Sequence, residues 1–406
     1  MARLSQRLES DEQFAEAYRA AHVDYLDRRA ALAAAAGVGE VPEIETVSAG
    51  GMPGRVKCLH ALAAHALAAG PGVNPVGDVA LAELTARGMW DTATPCVART
   101  VAAIDCGTNS IRMLIASAVG QDLTDVTRRL TIVRLGEGLE QTGRISDAAL
   151  SRVFAACDDY SAALRSADVG VVRFVATSAS RDAANAAEFI DGVTSRIGVT
   201  PEVITGDEEA RLSFVGAIAS PAVASSAAEP RLVVDIGGGS TEFVLGTDAP
   251  QAARSVDVGC VRLAERHLHS DPPTAAELAA VIADADAGIA RAAQVVPIGQ
   301  ARSLVGLAGT VTTVAAVWLG LDRYDPGLIH GTVMPAAEVH RIAADLSRQT
   351  LAERLAMPLM LPGRADVIVA GALIWSRIVA AAGVAEVVVS EHDILDGVAA
   401  ELVSFS

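Results

Sequence analysis

Two glycine-rich turns, each set between apolar strands and each led by an aspartate, constrain this chain more than any other feature. The first is Ile104-Asp105-Cys106-Gly107-Thr108-Asn109-Ser110-Ile111-Arg112. The second is Val234-Asp235-Ile236-Gly237-Gly238-Gly239-Ser240-Thr241-Glu242. Glycine lets backbone approach a ligand closely, and successive turn N–H groups form a concave anion site. An adjacent aspartate can hold a hydrated metal ion. One such hairpin is an ordinary capped turn. Two suggest similar half-domains facing each other across a phosphate-binding cleft.

Length and charge narrow the reading. The chain has 406 residues, 51% hydrophobic and 3% aromatic, which suits helix-rich α/β layers in two or three domains. A formal charge of −17 argues against a broad nucleic-acid surface. Lys57 is the only lysine, so a cation meeting phosphate beyond it is an arginine. Cys58, Cys96, Cys106, Cys157 and Cys260 are scattered without a CxxC pair, which points to reduced thiols in a cytoplasmic protein. The N-terminus lacks the apolar core of a signal peptide. The apolar stretch 367–389 is broken by Ser376, Arg377 and Glu386, and reads as a buried helix followed by a strand, not a membrane span.

Periodicity divides the chain in three. Residues 1–95 read as helical, with helices near 8–36, 55–69 and 79–87 and stop signals at Gly50-Gly51-Met52-Pro53-Gly54 and Gly70-Pro71-Gly72. Residues 96–220 read as a first α/β domain, with strands at 101–105, 111–116, 130–134, 171–176 and 202–204. Helices are expected over 147–166, 183–197 and 207–218. A small-residue linker fills 220–230. Residues 231–392 restart the same order of strands and helices as a second α/β domain, and a last helix near 393–406 returns to the first. The expected fold is an internally duplicated α/β fold.

Six segments together resemble the exopolyphosphatase / guanosine pentaphosphate phosphohydrolase (Ppx/GppA) family in its short two-domain form. They are the two turns above, Ala176-Thr177-Ser178-Ala179-Ser180-Arg181-Asp182, Thr205-Gly206-Asp207-Glu208-Glu209-Ala210-Arg211, Gly306-Leu307-Ala308-Gly309-Thr310-Val311, and Arg364-Ala365-Asp366-Val367-Ile368. The resemblance implies duplicated actin-like (ribonuclease H-like) domains facing a cleft. Gly50 to Leu62, with Gly-Met-Pro-Gly-Arg-Val-Lys-Cys-Leu-His-Ala within it, is similar to the domain of unknown function DUF501. Cys58, His60 and His65 there read as a packed helix face, because a zinc site needs a tighter ligand set.

The same resemblance implies a site. Glu209 matches the general base and Glu242 its catalytic partner; a carboxylate can orient or deprotonate the attacking water. Without it, Asp207, Glu208 and Glu209 read equally as acids complementing a helix dipole. Asp105, Asp235 and Glu242 are the expected metal residues, with Mg²⁺ as the cofactor and Mn²⁺ as its substitute. Gly107, Thr108, Asn109, Ser110, Gly237, Gly238, Gly239, Ser240 and Thr241 are the expected phosphate clamps. Gly309 and Thr310 add a third nest at a helix start. Arg112 and Arg181 are expected to neutralise phosphate, with Arg211 and Arg262 as weaker candidates. The histidines are assigned to no metal, and His392-Asp393 reads as a loop and helix start.

The implied activity is Mg²⁺-dependent release of terminal orthophosphate from inorganic polyphosphate. Guanosine pentaphosphate 5′-phosphohydrolysis is the enzymatic alternative, and an alarmone- or nucleotide-binding regulator with weak hydrolysis is the alternative from another class. The expected partners are polyphosphate or guanosine pentaphosphate and a second copy of the chain in a homodimer. Neither nucleic acid nor membrane is expected.

Overall fold

The computed structural model describes residues 99–119 and 122–404. The helices expected within 1–95 lie outside the described residues. The chain divides into two compact units, Met1–Val101 with Ala116–Asp125, and Ala102–Ile115 with Val126–Ser406. All site residues below belong to the second unit.

Strands β1 (Arg99–Cys106), β2 (Ser110–Val119), β3 (Asp122–Ile132), β4 (Val171–Ala176) and β5 (Glu202–Val203) form one sheet in the order β3-β2-β1-β4-β5. Strands β6 (Arg231–Ile236), β7 (Thr241–Gly246), β8 (Pro250–Val256), β9 (Ser303–Leu307), β10 (Val333–Pro335) and β11 (Glu386–Val389) form a second, ordered β10-β11-β9-β6-β7-β8. The duplication is explicit here. The order β3-β2-β1-β4 of the first sheet recurs as β8-β7-β6-β9 in the second. In the second sheet β6 pairs antiparallel with β7 and parallel with β9. β6 and β7 are buried along their whole length, which fits strands covered on both faces.

Each sheet has its own apolar core. In the first, Ile104, Ile111 and Met113 meet Val153, Tyr160 and Phe189 from helices Asp147–Ser166 and Ala186–Ile197. In the second, Leu232, Val234 and Leu304 meet Val281, Ala285, Trp375 and Ile378 from helices Ala275–Ala293 and Ile368–Ala382. Local signals fix the helix starts. The Ser146 hydroxyl accepts from the Ala149 N–H, and Thr274 forms a reciprocal capping box with Glu277.

Two helices cross between the sheets. Gly206–Ile218 packs on β6, β7 and β8, and Ile394–Ser404 packs on Gly206–Ile218 and on β4. Their backbones touch. A Cβ on Gly216 would lie 1.9 Å from the Asp393 carbonyl oxygen, and one on Gly397 would lie 2.1 Å from that of Leu212. Only glycine allows so close an approach.

Several boundaries differ from the sequence reading. The expected strand at 130–134 is the end of the much longer β3, whose polar residues masked its start. The stretch 220–230 is not bare linker. It contains helix Pro221–Ser226, with Val223 and Ala227 in a core cluster with Val233 and Val305. The expected helix 183–197 begins at Ala186, after a separate turn of helix at Ser178–Asp182. The interrupted stretch 367–389 is a helix and a strand as expected, and no helix of the described residues is long and apolar enough to cross a membrane.

Candidate active site

The two glycine turns have the same backbone geometry. The Gly107 N–H donates to the Ser110 carbonyl at 2.9 Å, and the Gly237 N–H donates to the Ser240 carbonyl at 3.0 Å. Turn carbonyls are occupied by neighbouring chain. Asn109 O accepts from Val133 and Arg134, Gly237 O from Cys260, and Gly238 O from Val261. The turns also meet each other. Thr108 and Ser178 share a hydroxyl hydrogen bond of 2.8 Å, and a Cβ on Gly239 would lie 2.7 Å from Ser178 Oγ and 2.8 Å from Thr108 Oγ1. A side chain larger than hydrogen at 239 would displace the Thr108 and Ser178 hydroxyls.

A cavity opens between them. Its wall includes Asp105, Gly107, Thr108, Asn109, Ser110 and Arg112 from the first turn and strand, with Thr177 and Ser178 beside them. Asp235, Gly237, Gly238 and Ser240 face these from the second turn, and Glu209 comes from the crossing helix. Ala308, Gly309 and Thr310 close one end at the start of helix Ala308–Trp318, where backbone N–H groups favour an anion. Ala308 holds φ of 66°, a left-handed conformation uncommon for a residue with a Cβ.

Most of the expected site residues meet in this cavity; Glu242, Arg181, Gly239 and Thr241 stand behind its wall. Glu242 lies opposite Asp235 in the β6–β7 register and is 1% exposed. Ser255 Oγ donates to Glu242 Oε1 at 2.7 Å. Thr241 Oγ1 donates to the Val258 carbonyl. Arg181 Nη1 donates to Glu209 Oε2 at 2.9 Å and to the Ile204 carbonyl at 2.8 Å, so its partner is the candidate base. Arg112 likewise meets carboxylates: Nε and Nη2 donate to Asp105 Oδ2 at 3.2 and 2.5 Å, and Nη1 donates to Asp393. Arg211 pairs with Glu208 and Glu401, away from the cavity. Arg262 bonds the Gly239 carbonyl and Asp182.

Burial raises four of these carboxyls, Glu209, Asp235, Glu242 and Asp105. It drives Glu209 up to about 7 against the opposing pull of Arg181. It drives Asp235 up to about 6, with Asp393 adding repulsion and Arg112 opposing. Glu242 is pushed well above the usual carboxylate range by burial and by Glu209 and Asp235. Asp105 is raised by burial despite Arg112. Asp105 Oδ1 and Glu242 Oε2 are buried and lack any hydrogen-bond partner. Such orphaned acceptors are costly in a low-dielectric site, and a cation supplies what they lack. Among the described residues no group of three or more His, Cys, Asp or Glu forms a ready metal cage. Mg²⁺ needs none, since it keeps several waters and takes one or two carboxylates plus phosphate oxygens. The donor set therefore fits a hydrated divalent ion.

Sequence reasoning missed three members. Asp393 caps the last helix, accepting from the Leu395 N–H at 3.0 Å, as a helix-start residue would; it also takes Arg112. Ser213 Oγ donates to Asp235 Oδ2 at 2.8 Å. Arg364 lies against Gly309, whose Cβ would be 2.5 Å from Arg364 Nη2, and bonds Thr313 Oγ1 at 2.7 Å. Arg364 stood in a matched segment, which was the available signal. Nothing local marks Asp393 or Ser213, because their partners are distant in sequence.

Known proteins are similar to this chain in sequence and in fold. The Ppx/GppA phosphatase family profile matches residues 114–404, and the profile of a protein of unknown function (DUF501) matches residues 1–82. Exopolyphosphatase 2 of Mycobacterium tuberculosis is 45% identical over 316 residues, covering 74% of this chain and 98% of the relative. A crystal structure of an exopolyphosphatase-like protein is 40% identical with a TM-score of 0.72, covering 75% of this chain and 98% of that one. The Ppx/GppA family member of Aquifex aeolicus is 29% identical with a TM-score of 0.64, covering 76% of this chain and 98% of that one.

Proposed function

We propose that this chain, which belongs to the Ppx/GppA phosphatase family and has its duplicated actin-like fold, is an exopolyphosphatase that releases terminal orthophosphate from inorganic polyphosphate. The observation that carries the reading is the pairing of two matched glycine turns with the Glu209 carboxylate in a single cavity. The turns supply N–H groups for the oxygens of neighbouring phosphates. Glu209 orients a water in line with the terminal phosphorus and accepts its proton. The water oxygen bonds to phosphorus, the bridging P–O bond breaks, and a chain shorter by one phosphate leaves. A side chain raised to about 7 is matched to base work near neutral pH. Arg181 holds Glu209 at its Oε2 and keeps the carboxylate aimed. Asp105 and Asp235, with Glu242 behind them, would hold Mg²⁺, which when bound neutralises phosphate oxygens. Arg364, beside the Gly309 turn, has no carboxylate partner among the described residues and is the arginine that meets phosphate directly.

A second reading has its own observation. Leu130, Val367, Ile368 and Ile394 line the same cavity, and a bare polyphosphate makes no use of apolar surface. A nucleoside does, which favours guanosine pentaphosphate as a further substrate. Phosphate release from both compounds, measured side by side with Mg²⁺, tests the two readings. Stepwise shortening of polyphosphate is the expected result, and no orthophosphate from either compound would overturn both.

A further inference from the structure

Helix Gly206–Ile218 carries two polar side chains one turn apart, Glu209 and Ser213, which the helical period places on one face. Glu209 reaches the cavity wall. Ser213 is 1% exposed, and its hydroxyl donates to Asp235 Oδ2 at 2.8 Å, across to β6. A serine inside a helix often returns its hydroxyl to the carbonyl four residues back; this one goes to a carboxylate on β6, a strand the helix packs against. Asp235 also lines the cavity, so its bond to Ser213 leaves the second oxygen to serve the site.

We infer that Ser213 is a positioning residue: it fixes the Asp235 carboxylate and sets it in register with Glu209, because both contacts start from one rigid helix. The inference rests on the roles given above to Glu209 and Asp235. Carboxylates that serve a metal are commonly held by such hydrogen bonds, and losing one weakens metal binding or activity about 10–100-fold. Ser255 does the same for the neighbouring Glu242, with its Cβ 2.5 Å from where a Cβ on Gly206 would stand. The helix start and the helix middle are thus each seated on a serine–carboxylate bond.

Ser213→Thr and Ser213→Val test this, since they match in shape and differ in the hydroxyl. Three readouts are needed: kcat and KM on polyphosphate, equilibrium binding of Mn²⁺ without substrate, and the melting temperature. Ser213→Val is expected to lose roughly 10–100-fold in kcat with KM nearly unchanged, and to bind Mn²⁺ about tenfold more weakly. Ser213→Thr should stay near wild type. If crowding unfolds both, Ser213→Ala, which only removes the oxygen, must show the same losses as expected for Val. Val and Thr behaving alike while folded, or Ala keeping wild-type kcat and Mn²⁺ affinity, would overturn the inference. The Mn²⁺ comparison reads Ser213 even if the wild type releases no phosphate, an outcome that would sink only the hydrolase reading.

Discussion

At the scale of single residues the site is organised by burial. Asp105, Asp235, Glu209 and Glu242 crowd together with only Arg112 and Arg181 to offset them, and each carboxyl is raised. For Glu209 this has a kinetic sign. A base must be ionised to take a proton, so kcat/KM should fall as the pH drops below about 7. A pH–rate profile flat down to pH 5 would contradict that assignment. It also has a stability sign. A carboxyl raised in the folded state contributes stability fully below its unfolded value, near 4.5, and loses it as the pH rises through about 7. The ionised form therefore costs on the order of 3 kcal/mol at pH 8. Glu209→Gln should melt above wild type at pH 8, with the gap closing toward pH 5. Thermal scans at those pH values check this, and a gap that does not change with pH would contradict it.

At the scale of elements the crossing helices matter most. They bring Glu209 from distant sequence to the cavity wall, and Ser213 and Asp393 to Asp235 and Arg112, which line it; their approach depends on Gly216 and Gly397. Gly397→Ala should destabilise by about 1–3 kcal/mol through overpacking, and should lower activity as Asp393 shifts from Arg112. Urea unfolding measures the first effect; a variant within ~0.5 kcal/mol of wild type would show that the helices yield easily. This level also marks where the sequence was readable. The glycine turns, β6, β7 and helix 147–166 are legible because their signals are local: continuous apolar runs, turn residues, a serine cap. The fates of Arg112 and Arg181 are not. An arginine beside an oxyanion turn has the chemistry of a phosphate ligand; the fold adds carboxylate partners, Asp105 and Asp393 for Arg112, which lines the cavity, and Glu209 for Arg181. Helix Pro221–Ser226 was hidden by a composition of small residues that suits linkers and helices alike.

At the scale of the sheet pair, polar contacts latch one half to the other around the cavity. Arg134 meets Asp366 at 2.7 Å, Arg262 meets Asp182 at 2.7 Å, and Asn109 donates to the Gly363 carbonyl at 3.2 Å. Partly exposed pairs of this kind are worth about 0–1 kcal/mol each and are screened by salt. Opening should therefore be inexpensive, and a bridging polyanion should oppose it by touching both turns. Small-angle scattering should give a larger radius of gyration at high salt, reduced again by a non-hydrolysable polyphosphate analogue with Mg²⁺. A radius indifferent to both would indicate a rigid, preformed site. Because every turn and carboxylate of the site lies after residue 98, removing residues 1–95 should leave hydrolysis measurable. A folded truncation with no activity would assign those residues a part in the site.

The central claim is that Glu209 activates the attacking water. Its most direct test compares Glu209→Gln with wild type for orthophosphate release from polyphosphate in Mg²⁺, with substrate binding measured separately at equilibrium. The account predicts a loss of roughly 10²–10⁴-fold in turnover with binding largely retained. Turnover near the wild-type rate would contradict it, and would leave Glu209 as an acid serving only its helix and Arg181.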